Sequence, residues 1–120
     1  SYMFTGCSSL TNLDLSSFKT PKLTNVGYFL YNCSKLSTLD ISNFDTTNVT
    51  DIHRMFQNTA LKKLDLRNFN ITNATDLRFM FAEMKNLEEV LVDKNKWIIN
   101  AGANAEYMFY ASKISSVTYE

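Results

Sequence analysis

Apolar positions along this chain follow two alternating rhythms. Leu13 and Leu15 flank Asp14, Leu39 and Ile41 flank Asp40, and Leu64 and Leu66 flank Asp65. A period of two is that of a short strand with its leucines inward and its middle residue outward. Between these stretches the spacing lengthens. Val49, Ile52, Met55 and Phe56 stand at i, i+3, i+6 and i+7, and Ala74, Leu77, Met80 and Phe81 repeat the arrangement, which predicts one face of a short helix. Thr46-Thr47-Asn48 and Thr72-Asn73 precede these stripes, where hydroxyl or amide oxygens can accept the amide hydrogens of a first helical turn. Pro21 suits the same position in an earlier copy, since its fixed φ and missing N–H cost nothing where a helix starts.

The two rhythms recur together. Met3-Phe4 returns as Phe29-Leu30, Met55-Phe56, Met80-Phe81 and Met108-Phe109, at nearly even intervals of a length that marks a repeat protein. The frame Leu10-x-x-Leu13-Asp14-Leu15-x-x-Phe18 returns as Leu36-x-x-Leu39-Asp40-Ile41-x-x-Phe44 and as Leu61-x-x-Leu64-Asp65-Leu66-x-x-Phe69. A fourth copy, Leu87-x-x-Val90-Leu91-Val92, has Leu91 in place of the aspartate and Asn95 in place of the phenylalanine, and a fifth runs Ile114-x-x-Val117-x-Tyr119. A single strand-helix unit cannot bury its own leucines, so copies must stack. The predicted fold is an α/β repeat solenoid, with a parallel sheet on a concave face and short helices on the convex side. A longer, differently built connection is expected between Asp93 and Asn104. Residues 1–120 read as one domain, and because the chain opens in the middle of a copy it reads as a fragment of a longer repeat protein.

The run Met-Phe-x-x-Cys-x-x-Leu-x-x-Leu-Asp-Leu-Ser-x-Phe, with Thr-x-x-Val-Thr-Asp-Ile after it in the next copy, resembles the BspA-like leucine-rich repeats of bacterial surface proteins, whose units are of about the same length. The likeness is close from Phe4 to Phe81 and loose beyond. It implies a leucine-rich-repeat fold and a non-catalytic, cell-surface or secreted adhesion or protein-binding module, with a protein or glycan partner on a host or neighbouring cell. It carries no catalytic residue and no cofactor.

Composition narrows the classes further. The chain is 45% hydrophobic and 13% aromatic, enough to build a core. Twelve basic residues balance twelve acidic ones, so the field that would draw the chain to nucleic acid or an anionic bilayer is missing. No apolar run reaches the roughly 18 residues of a membrane span. Cys7 and Cys33 hold equivalent positions, three residues after an apolar pair, with Met84 and then Ala111 or Ser112 in the same slot later. Two thiols are too few for a disulfide scaffold, and the varied slot favours free, buried groups.

Candidate chemistry is sparse. His53 is the single histidine, read as lying on the polar flank of a helix, so neither a triad nor a zinc site is expected. The three glycines are scattered and no glycine-framed serine exists. Four Asn-x-Ser/Thr sequons begin at Asn32, Asn48, Asn70 and Asn73 and matter only where the source glycosylates them. Asp14, Asp40 and Asp65 are predicted to form a ladder on adjacent strands, which would either hold a cation or, more in keeping with the few ligands on offer, accept hydrogen bonds from local partners such as Ser16, Ser42, Thr38 or Lys63 or cap the turn that ends each strand. With no catalytic and no metal-binding residue assigned, the candidate binding surface is the outward strand strip, Asp14, Ser16, Thr38, Asp40, Ser42, Lys63, Asp65, Arg67 and Glu89. Tyr28, Tyr31, Trp97, Tyr107 and Tyr110 would either anchor an interface or pack along the opposite wall. The alternative to recognition is a structural spacer that self-associates through its end repeats, where strand edges lie open.

Overall fold

The structure, a computed structural model, describes residues 3–17 and 23–120. Five short strands are present, β1 (Asn12–Asp14), β2 (Thr38–Asp40), β3 (Lys63–Asp65), β4 (Glu89–Val92) and β5 (Thr118–Tyr119). All pairings are parallel. They make two small sheets, β1-β2 and β3-β4-β5, where one continuous sheet was expected. Leu13, Leu39, Leu64 and Val90 turn inward and their strand neighbours outward, as period two requires. Phe18 and Pro21 lie outside the described residues.

No helix occurs among the described residues. The strand-and-helix solenoid with a concave sheet and a helical convex wall is therefore overturned, and the leucine-rich-repeat architecture with it. The physical reason is backbone sign. Tyr28 and Asn32, Arg54 and Asn58, Phe79 and Glu83, and Tyr107 and Ala111 all have φ between 58° and 61°, the left-handed region that a right-handed helix excludes. Gly6, at φ 74°, holds the corresponding place in the first copy, where glycine meets no steric cost.

The segments read as helices are ribbons of successive turns with a divided hydrogen-bonding pattern. In the ribbon from Val26 to Cys33, the N–H groups of Phe29, Tyr31 and Cys33 bond back to the carbonyls three residues earlier. Those of Val26, Tyr28, Leu30 and Asn32 reach sideways to Asp51, His53, Met55 and Gln57 of the next copy. The next ribbon bonds the same way to Asp76, Arg78, Met80 and Ala82, and the third to Asn104, Glu106, Met108 and Tyr110. Each of these N–H groups thus finds its acceptor one residue short of the full sequence period at that junction. Turns place apolar residues three and four apart much as a helix does, so Ile52, Met55 and Phe56 are all buried without one.

Thr46 illustrates the same shift from local to lateral bonding. Expected to help start a helix, it is buried and brackets the following copy: its hydroxyl donates to the Asn70 carbonyl at 3.0 Å and accepts from the Asn70 N–H at 2.8 Å. The core runs between strands and ribbons. Phe56 stacks on Phe81 with ring centroids 5.7 Å apart, and Phe81 stacks on Phe109 at 5.1 Å; such pairs contribute about 0.5–1.5 kcal/mol beyond burial. Trp97 is buried against Phe81 at 6.1 Å, so its indole fills the interior where Asn95 replaces the phenylalanine of earlier copies. No helix among the described residues is long and apolar enough to cross a membrane.

Candidate functional site

The outward strand row is where most of the predicted surface residues meet. Asn12 is the register partner of Thr38, and Asp14 of Asp40; the Thr38 hydroxyl donates to Asn12 Oδ1 at 2.6 Å. In the second sheet Lys63 partners Glu89, an opposite-charge pair across parallel strands, while Asp65 partners Leu91. The expected ladder of three aspartates is therefore two aspartates in register plus a third in a separate sheet. Asp14, Ser16, Thr38, Asp40, Ser42, Lys63, Asp65 and Arg67 are exposed, and Glu89 is half-buried.

Each aspartate closes the turn that ends its strand. Asp14 Oδ1 accepts the Ser16 N–H at 2.9 Å, and Asp40 Oδ1 accepts the Ser42 N–H at 3.0 Å and its hydroxyl at 2.6 Å. Asp65 is forked by Arg67, from Nε at 2.9 Å and from the guanidinium NH2 at 2.7 Å, with the Arg67 N–H also donating at 3.2 Å. These are aspartate turns, in which a short side chain replaces a backbone acceptor two residues back. The Ser16 hydroxyl and then its N–H hold Asp14 below the usual carboxylate range, and the Arg67 side chain does the same for Asp65 against the opposing effect of burial. Charge on this row is largely consumed in shaping the row itself.

A second polar row lies at the head of the turn ribbons. Asn25, Asp51, Asp76 and Asn104 are joined by successive parallel bridges, and each accepts the N–H two residues on, from Gly27, His53, Arg78 and Glu106. His53, expected on an exposed flank, is instead part-buried at 18% side-chain exposure. Its Nδ1 hydrogen-bonds Asp51 Oδ1 and lies 3.9 Å from Asp76 Oδ2. Asp76 is also forked by Arg78, at 2.9 Å and 2.8 Å, and that guanidinium holds its carboxyl below the usual range while burial opposes. Sequence reasoning passed over this row because it fell inside predicted helix starts, although the periods alone place Asp51 and Asp76 in equivalent positions.

Beside it runs a third row, one residue from each ribbon. The Arg54 guanidinium lies over Tyr28 at 5.8 Å and over Phe79 at 4.2 Å, and Phe79 stacks on Tyr107 at 5.2 Å. Tyr107 and Tyr110 meet edge to face and stand 58% and 57% exposed. Tyr28 and Tyr31 are half-buried and Trp97 is interior, so only part of the predicted aromatic set reaches solvent. Cys7 and Cys33 are free. Cys33 is buried, its thiol donates to the Phe4 carbonyl at 2.9 Å, and burial pushes its pKa up, an environment that disfavours the nucleophilic thiolate.

The family model described as "Mycoplasma protein of unknown function, DUF285" matches residues 1–119. The chain belongs to that family, and not to the BspA-like leucine-rich-repeat family that its motif resembles. No curated protein and no solved structure matches it.

Proposed function

We propose that this member of the family is a non-catalytic interaction module that binds a protein or glycan partner across its outward strand row. The observation behind the reading is a fixed frame carrying a changing display. Inward positions repeat as Leu13, Leu39, Leu64 and Val90, whereas the outward position before them runs Asn12, Thr38, Lys63, Glu89, and the turn position after them runs Ser16, Ser42, Arg67, Asp93. Side chains that shape the fold have little freedom to vary, and those that meet a partner have much. These positions change from small neutral polar groups in the first two copies to charged groups in the third and fourth, which suits a partner with its own charge pattern better than a uniform polyanion.

The test is binding of the purified chain to an array of matrix proteins and glycans, beside an Asp14→Asn, Asp40→Asn, Asp65→Asn variant and a Lys63→Glu, Arg67→Glu variant. Asparagine keeps the turn-closing oxygen, so the first variant should fold, although at Asp65 it gives up the second oxygen that accepts from Arg67. Binding by the native chain that either variant loses supports the reading. Binding that both retain moves the site off the strand row. If the native chain binds nothing and self-associates with rising concentration, it is a structural array and the recognition reading is wrong.

A further inference from the structure

We propose that Asp51, His53 and Asp76 form a site for a divalent cation of borderline softness, such as zinc, held across the junction between two copies. The proposal is independent of the partner-binding reading. One ligand atom from each residue lies within 4.8 Å of the other two; His53 Nδ1 contacts Asp51 Oδ1 and stands 3.9 Å from Asp76 Oδ2. Tetrahedral bonds of about 2.0–2.2 Å set ligand atoms roughly 3.4 Å apart, so a bound ion would part His53 Nδ1 from Asp51 Oδ1, now hydrogen-bonded, and draw Asp76 Oδ2 slightly inward. The backbone supplies the rest of the geometry. Asp51 and Asp76 are parallel bridge partners, so their carboxylates project side by side from adjacent copies. All three side chains are part-buried, at 27%, 18% and 22% exposure in chain order, which leaves a solvent-facing position for a water ligand. One imidazole with two carboxylates suits zinc better than calcium or magnesium, which favour oxygen alone.

Two observations set this cluster apart from the other turn-closing residues. At both ends of the same row the turn is closed by a neutral amide, Asn25 and Asn104, with bonds of 2.8 and 3.0 Å that match those made by Asp51 and Asp76. Turn chemistry therefore does not require charge here, and the row carries it only at the two positions that flank His53, of which Asp76 is also paired with Arg78. The imidazole is also seated by a neighbouring copy: a Cβ on Gly27 would come within 2.9 Å of His53 Nδ1, and Tyr28 meets the ring edge to face at 4.7 Å. Side chains from three copies thus converge on one ring. Arg78 competes for the site, since its guanidinium occupies both oxygens of Asp76; a bound ion would displace the Nδ1 proton to solvent and reduce Arg78 to one contact.

The test is a titration of the full chain with zinc chloride in a non-chelating buffer, by calorimetry and by NMR of the imidazole ring protons. With one histidine in the chain, a single set of ring signals reports the site. One zinc per chain should bind, shifting those signals, with calcium and magnesium failing to compete. His53→Gln and Asp51→Asn should each weaken binding by about tenfold or more, and Arg78→Gln should tighten it, with circular dichroism confirming the fold of each variant. Zinc that binds without moving the ring signals has gone to the thiols or to surface carboxylates and overturns the proposal. So does an absence of zinc binding, or an affinity that His53→Gln leaves unchanged.

Discussion

Ala111 has φ 58° and its methyl group faces solvent, so glycine at this position probes the turn ribbon with almost nothing else disturbed. An L-residue in the left-handed region costs roughly 1–2 kcal/mol, a cost that glycine escapes. Glycine loses more backbone freedom on folding, which takes back roughly 0.5–1 kcal/mol. The balance has Ala111→Gly stabilising the protein by about 0.5–1 kcal/mol. In a helix the same substitution would cost about 1 kcal/mol, so the sign alone separates the two backbones. Ala82 is the matched control: it is fully buried, outside the set of positive-φ residues, and its carbonyl accepts the Asn58 N–H. Ala82→Gly should destabilise by about 1–2 kcal/mol, from lost methyl burial and added chain entropy. Urea unfolding followed by the fluorescence of buried Trp97 gives both values from the midpoints, provided the slope is unchanged. A lower midpoint for Ala111→Gly would refute the left-handed assignment and the ribbon built on it.

Phe81 packs against Phe56, Phe109 and Trp97 at full burial, so Phe81→Ala should cost about 3–5 kcal/mol in the same unfolding assay. Thr46→Val keeps the shape of a buried side chain but strips both lateral bonds to the Asn70 backbone, and should cost about 1–3 kcal/mol. Asp76 and Asp65 have folded-state pKa values lowered from 3.8 by Arg78 and Arg67. Their contribution to stability is therefore complete above the ordinary carboxylate range and is lost as pH falls through their lower folded values. Urea midpoints measured from about pH 5 downward should fall less steeply for Asp76→Asn than for the native chain; an identical slope would show that the pair contributes nothing.

What the sequence made legible and what it hid divide along one physical line. The strands, their inward leucines and the pairing of Asp14 with Asp40 were readable because a period of two and a recurring unit leave little choice of strand face or partner. The turn ribbons were not. Val49, Ile52, Met55 and Phe56 satisfy a helical stripe, and the same spacing is met by turns whose amides bond alternately backward and sideways. A hint did exist: Gly6, Asn32 and Asn58 share one position in successive copies, and glycine and asparagine tolerate positive φ better than other residues. Assigning a helix there also hid the Asp51, His53, Asp76 cluster, because a helix would have turned His53 toward solvent. On the strand row the turn-closing role of Asp14, Asp40 and Asp65 was among the readings weighed, while the break between β2 and β3 left no mark on the sequence.

The sideways bonds between ribbons join main chain to main chain, at an offset that stays constant along each junction. A joint of that kind is indifferent to which copy meets which. A duplicated unit would offer its neighbours the same comb of amides and carbonyls and the same ring-sized step in the interior, without a matched set of compensating substitutions. The longer run between Leu91 and Asn104 marks where such an array absorbs irregular lengths, in the connector and clear of both bonded rows.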